Sequence, residues 1–335
     1  VDSLVSGVTG LTRILKYKWF QMSVFSLLLA LLPLMVTNRY YLTLMIFIGI
    51  HTLLVLGLNL LMGYAGQISL GHAAFFGFGA YTSGILTANY QASPWLAMLA
   101  AVALTVAVAL MVGMPALKLT GYYLAMATLG FGIIVHICFK EFVWLTGGPS
   151  GLVGIPILSI GGLVLDEPGT YYYVVWLATL GAIAISFNIV DSRVGRALRA
   201  IHDSEPAASA TGISTARLKI WVFALSAVYA SVAGSLYAHF ITFISPSSFD
   251  FMFSIKLVTM CVVGGMASIW GAVFGAAALT LLPEVLAVFH DYDIIIFGLI
   301  LMVVMIFMPQ GLTRGALDLW RKYRFQSQSG LIARS

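Results

Sequence analysis

The residues of this sequence that could do chemistry are few, mostly uncharged, and gathered into two stretches. The first is GYAGQISLGHAAFFGFGAYTSG from Gly63, where Gln67, Ser69 and His72 sit among glycines at 63, 66, 71, 77, 79 and 84. Glycine at this density lets helices approach closely, and it also permits local unwinding that frees backbone N–H and C=O groups to meet a polar solute. Gly63, Gly66, Gln67, Ser69, Gly71 and His72 are therefore candidates for lining a translocation pathway. The competing reading is a tightly packed helix whose polar groups satisfy one another.

The second stretch is SRVGRALRAIHDSEPAASATGIS from Ser192. Val194 to Ile201 suits a short amphipathic helix, with Arg196 and Arg199 on the polar side and Leu198 and Ile201 on the apolar side. Asp203 or Ser204 can cap a second short helix, with Glu205 and Pro206 in its first turn, Ala207 and Ala208 in its body and Gly212 as a left-handed stop. A capped helix between spans can transmit force from a soluble motor. The alternative is a basic loop lying on anionic lipid headgroups, but so ordered a loop is more than lipid binding requires.

Catalytic and energy-transducing sets are missing elsewhere in the chain. It has no Gly-Lys dipeptide and so no GxxxxGK[ST] phosphate loop, no HExxH and no GxSxG. Cys138 and Cys261 lie far apart in apolar runs and form no CxxC motif. No cofactor or metal site is visible, so any ATP and Mg must be handled by another chain. Ion-coupled carriers commonly hold an acid or a base at membrane depth, whereas here the charges sit near run ends. Of the six histidines, His51, His72, His136 and His239 fall in or beside spans, where helix-to-helix hydrogen bonding is the commoner role.

The elements that must position these residues follow from composition. The 335 residues are 61% hydrophobic and 9% charged, with a mean hydropathy of +1.00, against roughly 25% charged for a soluble domain. Ten apolar runs stand out, namely Gln21 to Val36, Tyr41 to Met62, Ile68 to Thr87, Pro94 to Leu117, Tyr122 to Phe139, Tyr172 to Val190, Ile220 to Phe243, the short Ile255 to Gly265, Ile269 to Leu282, and Ile294 to Met308. Continuous runs favour helices over barrel strands, because a helix satisfies its own backbone in lipid. The expected fold is an all-α polytopic membrane protein of about ten transmembrane elements, some short or broken, with both termini cytoplasmic. Residues 1–19 are expected to form a cytoplasmic segment, 20–310 a single transmembrane domain, and 311–335 a cytoplasmic basic tail.

On this topology 14 of the 17 cations lie inside, leaving only Arg39, Lys140 and Lys256 outside. The formal +5 thus marks orientation and gives no call for a nucleic-acid partner. The loop 140–171 is the longest outside, with Thr146, Gly147, Gly148, Pro149 and Gly151 as candidates to face a soluble partner there. The loop 191–219 is the longest inside. A shorter echo of the glycine stretch, GYYLAMATLGFG from Gly121, hints at an internal repeat without establishing one.

Together these stretches resemble the permeases of ABC importers for branched-chain amino acids. The resemblance rests on GYAGQISLGHAAFFGFGAY, LTGGPSGLVGIP, GRALRAIHDSEPAASATGIS, LYAHFITFISPSSFDF, VVGGMASIWGAVFGA, LPEVL and MPQGL, in order from about residue 40 to 312. It implies a second homologous permease subunit, two cytoplasmic ATP-binding subunits, an extracytoplasmic solute-binding protein and a bacterial inner membrane. It also implies that a coupling helix with an acid-Ala-Ala-x-x-x-Gly pattern docks on the ATPase. Glu205, Ala207, Ala208 and Gly212 match that pattern with Pro206 inserted after the acid. The family also serves urea or short amides. A stand-alone channel or an ion-coupled carrier is the reading from a different class.

Overall fold

The computed structural model describes residues 2–286 apart from 37 and 161–162, together with 298, 299, 302 and 306. Most of the tenth apolar run, all of the basic tail, and Asp291 and Asp293 lie outside the described residues, as do the side chains of Arg13, Lys16 and Lys18.

The chain is a helical bundle. Its helices are α1 (Asp2–Met35), α2 (Arg39–Asn59), α3 (His72–Ala88), α4 (Pro94–Ala116), α5 (Tyr122–Glu141), α6 (Val143–Thr146), α7 (Pro168–Asp191), α8 (Arg193–Asp203), α9 (Glu205–Ala210), α10 (Thr215–Ile241), α11 (Phe251–Gly264) and α12 (Ile269–Leu286). Six of them, α2 with its continuation to Tyr64, α4, α5, α7, α10 and α12, are long and apolar enough to cross a membrane, and Trp19–Met35 and α11 are shorter apolar helices. Local signals set their ends. The Asn38 side chain accepts the Tyr40 amide at 3.0 Å, and Pro94 and Pro168 open α4 and α7, where a missing N–H has no partner to lose.

Burial separates the core of the bundle from its perimeter. The apolar window of α2 is 89% buried, against 28% for α4 and for α5, so α2 is the central post and the other two present wide apolar faces. Polar ties fix the helices around it. The Tyr171 hydroxyl donates to the Leu236 carbonyl at 2.6 Å, Trp176 Nε1 to Met45 O at 3.2 Å, and Thr179 Oγ1 to Gly49 O at 3.2 Å. Helices α3 and α10 meet most closely, because Gly79 rests on the Ser231 backbone and Gly234 on Phe76 O.

Two elements are interrupted. After a π-helical turn at Leu60–Tyr64, residues 65–71 are non-helical before α3 begins. The expected run from Ile68 is therefore helical only from His72. After α10, residues 242–250 run as a short strand and a 3-10 turn before α11 begins. The first turns of α3 and α11 meet inside the bundle. The Ala73 amide donates to Ser254 Oγ at 3.1 Å, and the Phe76 and Phe253 rings stack at 5.3 Å. From that point α3 runs toward one end of the bundle and α11 toward the other. At 14 residues, α11 is about 21 Å long, too short by itself for a ~30 Å hydrocarbon core. Lys256, expected in an outer position, lies partly buried in the second turn of α11, because the chain has already dipped inward before the helix starts. The turn at Gly264-Gly265 is present, with Gly265 at φ +114°.

Each end of the bundle has its own furniture. One carries α8 and α9. The other carries α6 and two antiparallel ladders of two residues per strand. One ladder pairs β1 (Leu152–Val153) with β4 (Phe243–Ile244), and the other pairs β2 (Ser159–Ile160) with β3 (Leu163–Val164). The echo at Gly121 opens an uninterrupted α5. The interruptions fall instead between α2 and α3 and between α10 and α11.

Candidate translocation pathway and coupling loop

Residues 65–72 leave the α8–α9 end and run back into the bundle. Gly66 takes φ +67°, which admits glycine readily, and a side chain there would press on His202 of α8. The amides of Gly66 and Gln67 close the π turn onto Met62 O and Leu61 O at 3.2 and 3.0 Å. Gln67 Nε2 donates to Ala65 O at 3.0 Å, but its Oε1 has no partner. Ser69 Oγ has none either, and neither ring nitrogen of His72 makes a hydrogen bond of normal geometry. Ser69 and His72 are each only 1% exposed. An orphaned buried polar atom costs about 1–3 kcal/mol, and such atoms call for an explanation. Each of the three polar residues singled out by sequence thus keeps at least one unpartnered buried polar atom at the break between helices. Gly63 and Gly71 have packing roles beside them. Gly63 abuts Ala267 and the Asn59 side chain, and Gly71 abuts the Thr128 carbonyl.

The loop 191–219 forms the two helices expected. Ser192 caps α8 through the Val194 amide at 3.0 Å, and Ser204, rather than Asp203, caps α9 through the Ala207 amide at 3.4 Å. Asp203 is the last residue of α8. Gly195, Leu198 and Ile201 are buried. The arginines turn back on the loop itself: Arg199 donates to Val190 O at 2.9 Å and Gly195 O at 3.3 Å, and Arg196 to Asp191 O at 3.4 Å. Both support carbonyls at the C-terminus of α7, where a cation is favoured. Gly212 stops α9 at φ +85°.

Glu205 points inward. Its carboxylate pairs with Lys219 Nζ at 2.7 Å, the Lys219 side chain being 4% exposed and that of Glu205 28%. Pro206 occupies the first turn of α9, so its missing N–H removes no helical bond. Ala208 packs inward with the acid, and α9 shows the outside Pro206, Ala207, Ser209 and Ala210. Lys219 was visible in the sequence only as one more loop cation. Its signal was periodicity, since Lys219, Val222, Phe223 and Ser226 share the buried face of α10.

The two sequence stretches meet at one cavity of about 660 Å³, lined by Gly66, Gln67, Lys118, Thr120, Gly121, Glu205, Pro206, Ala216 and Lys219. Helix α9 and the segment that carries Gln67 thus border the same space. Asn59, also missed from sequence, clamps the α11–α12 turn to the end of α2. Its Oδ1 accepts the Ala267 amide at 2.9 Å and its Nδ2 donates to Ser268 O at 2.7 Å.

At the opposite end, Thr146 turns inward, donating to Phe139 O at 2.7 Å and Phe142 O at 2.9 Å, and Gly148 is buried. Both build the loop, which leaves Pro149 exposed, with Gly147 and Gly151 partly so. His239 links this loop to the bundle, lying 2.7 Å from Pro156 O and 2.8 Å from Ser83 Oγ. A carbonyl only accepts, so His239 Nδ1 carries the proton and Nε2 accepts from Ser83. His51 likewise bonds across helices, to Thr280.

Comparison with known proteins gives this arrangement relatives. The family model described as branched-chain amino acid transport system / permease component matches residues 40–309. The high-affinity branched-chain amino acid transport system permease protein LivM of Salmonella typhimurium strain LT2 is 32% identical over 286 residues, covering 78% of this chain and 67% of that protein. LivH of Escherichia coli strain K12, from the same kind of system, is 28% identical over 281 residues, covering 78% and 90%. The autoinducer 2 import system permease protein LsrC of Yersinia pseudotuberculosis is 28% identical over 228 residues, covering 65% and 61%. No solved structure matches. With interrupted helices around an unsatisfied polar segment, and a family match over most of its length, the chain belongs to the branched-chain amino acid transport permease components.

Proposed function

We propose that this chain is a membrane-spanning subunit of an ATP-driven importer that moves branched-chain and other hydrophobic amino acids across a bacterial inner membrane. It works with a second homologous permease, two ATP-binding subunits on the cytoplasmic side and an extracytoplasmic solute-binding protein. The observation that carries the reading is the broken segment 65–72, where Gln67 Oε1, Ser69 Oγ and the His72 ring nitrogens are buried without a hydrogen-bond partner of normal geometry. Uncharged dipoles of this kind bind a zwitterion weakly enough to release it.

The α8–α9 end is the cytoplasmic one on this proposal. Lys118, Arg193, Arg196, Arg199, Arg217 and Lys219 cluster there, as the positive-inside rule expects. Ten elements with both termini inside follow if 242–264 crosses once as an extended-then-helical unit and residues 294–308 cross last. The exposed face of α9 docks on an ATPase, and Glu205 and Lys219 pass its movement to α10 and to the cavity under Gln67. Pro149 and the neighbouring loop face the binding protein.

The test is reconstitution of the chain with both permeases, both ATPases and the binding protein in proteoliposomes. ATP-dependent leucine uptake that outcompetes urea is expected. Uptake by this chain alone, without ATP, would sink the proposal.

A further inference from the structure

A second cavity, of about 210 Å³, shares no residue with the first and lies where α2, α3, α10 and α11 converge. It is lined by Phe47, His51, Phe76, Tyr237, Ser248 and Phe253. The rings close on one another: Phe76 meets Tyr237 and Phe253 at 5.3 Å each, His51 meets Phe253 at 5.8 Å, and Phe47 meets both His51 and Tyr237 at 6.3 Å. Phe76 is buried, whereas Phe47, His51, Tyr237, Ser248 and Phe253 are each partly exposed. The box therefore has a packed floor and an open side, and it sits at the meeting of the two interrupted helices.

We propose that this aromatic box binds the aliphatic side chain of the transported amino acid, an inference that rests on the function proposed above. Size is the first argument. An apolar cavity of about 150 Å³ holds benzene, with about six heavy atoms. By the same proportion 210 Å³ holds about eight or nine, so the box takes valine or leucine whole, with the alkyl side chain against the rings, and is about twice the size of urea. Chemistry is the second. Four aromatic faces bury apolar surface and offer few hydrogen bonds, which suits an alkyl group and disfavours a polyhydroxylated or amide solute.

The wall also holds groups for the charged end of a zwitterion. Thr280 Oγ1 donates to Ala276 O at 2.6 Å, so it accepts from His51 Nδ1 at 2.8 Å. His51 Nε2, on the ring edge away from Thr280, is then the acceptor nitrogen, suited to an ammonium. Lys256 lies three residues after Phe253 and so on the same face of α11. Its ammonium is the cation offered to a carboxylate from that face.

The experiment uses the complete reconstituted importer and compares uptake of leucine, valine and alanine. Phe47→Trp narrows the box from its partly exposed side, and Ser248→Val fills it from the loop with little demand on helix packing. Each should lower the preference for leucine over alanine by roughly tenfold to a hundredfold, the range for a methylene-scale misfit in an apolar pocket. Phe253→Ala should raise phenylalanine uptake relative to leucine. If the Ser248→Val complex assembles and transports with unchanged leucine, valine and alanine ratios, the box is not the side-chain site, whatever Phe47→Trp does. If the wild-type complex carries no aliphatic amino acid, it is instead the proposed function that fails.

Discussion

Replacing Glu205 by Gln should strand the Lys219 ammonium, and the size of the effect follows from the exposure of the two partners. Breaking a fully buried ion pair by removing one member costs about 3–5 kcal/mol. Lys219, at 4% side-chain exposure, meets that condition, but Glu205, at 28%, sits at the rim of the 660 Å³ cavity, where water can enter. Water at the rim brings the expected cost of Glu205→Gln down to about 2 kcal/mol. Lys219→Met removes the buried charge and keeps its bulk, leaving a carboxylate that can rehydrate, so about 1 kcal/mol or less is expected. The double variant Glu205→Gln/Lys219→Met should recover most of the loss, giving a coupling energy of about 1–2 kcal/mol. The measurement is a double-mutant cycle on the unfolding of the purified protein in detergent micelles, at low and high salt. Because the pair is largely shielded, its coupling should change little with ionic strength. Strict additivity, within about 0.3–0.5 kcal/mol, would show that the pair does not act as a unit and would refute its role in linking α9 to α10.

Two further outcomes are expected. Asn59→Leu should destabilise the protein by about 2–4 kcal/mol by orphaning the Ala267 amide and the Ser268 carbonyl, read as a lowered melting temperature; an unchanged melt would remove Asn59 as the clamp of the α11–α12 turn. Ala207→Trp, on the exposed face of α9, should leave the melting temperature of the isolated chain unchanged and abolish association with the ATP-binding subunits. Retained association would put the docking surface elsewhere.

Much of the coupling loop was legible before the structure, because its information is local. The caps, the amphipathic spacing of Leu198 and Ile201 and the left-handed Gly212 are all decided within a few residues. The orientation of Glu205 was not legible, since it depends on Lys219 returning to the same place 14 positions later on another helix. The same holds for the bonds of Arg196 and Arg199 to Asp191 O and Val190 O at the α7–α8 corner, which the exposed arginines make in addition to whatever their outer faces meet. Thr146 looked like part of a contact loop, yet its hydroxyl faces the carbonyls of α5.

Sequence by itself determined that the chain is a charge-poor helical membrane protein, and that Gln67, Ser69 and His72 stand in a glycine-rich segment able to unwind. Composition and 3.6-residue spacing are enough for that, because lipid admits so few backbone solutions. Only the tertiary structure decided where the helices break, that α3 and α11 begin against each other, and that Phe47, Phe76, Tyr237 and Phe253 enclose one cavity. In helices made almost wholly of apolar residues, hydrophobicity no longer distinguishes a lipid-facing ring from a buried one. That distinction comes from packing shape and from the hydrogen bonds between distant segments.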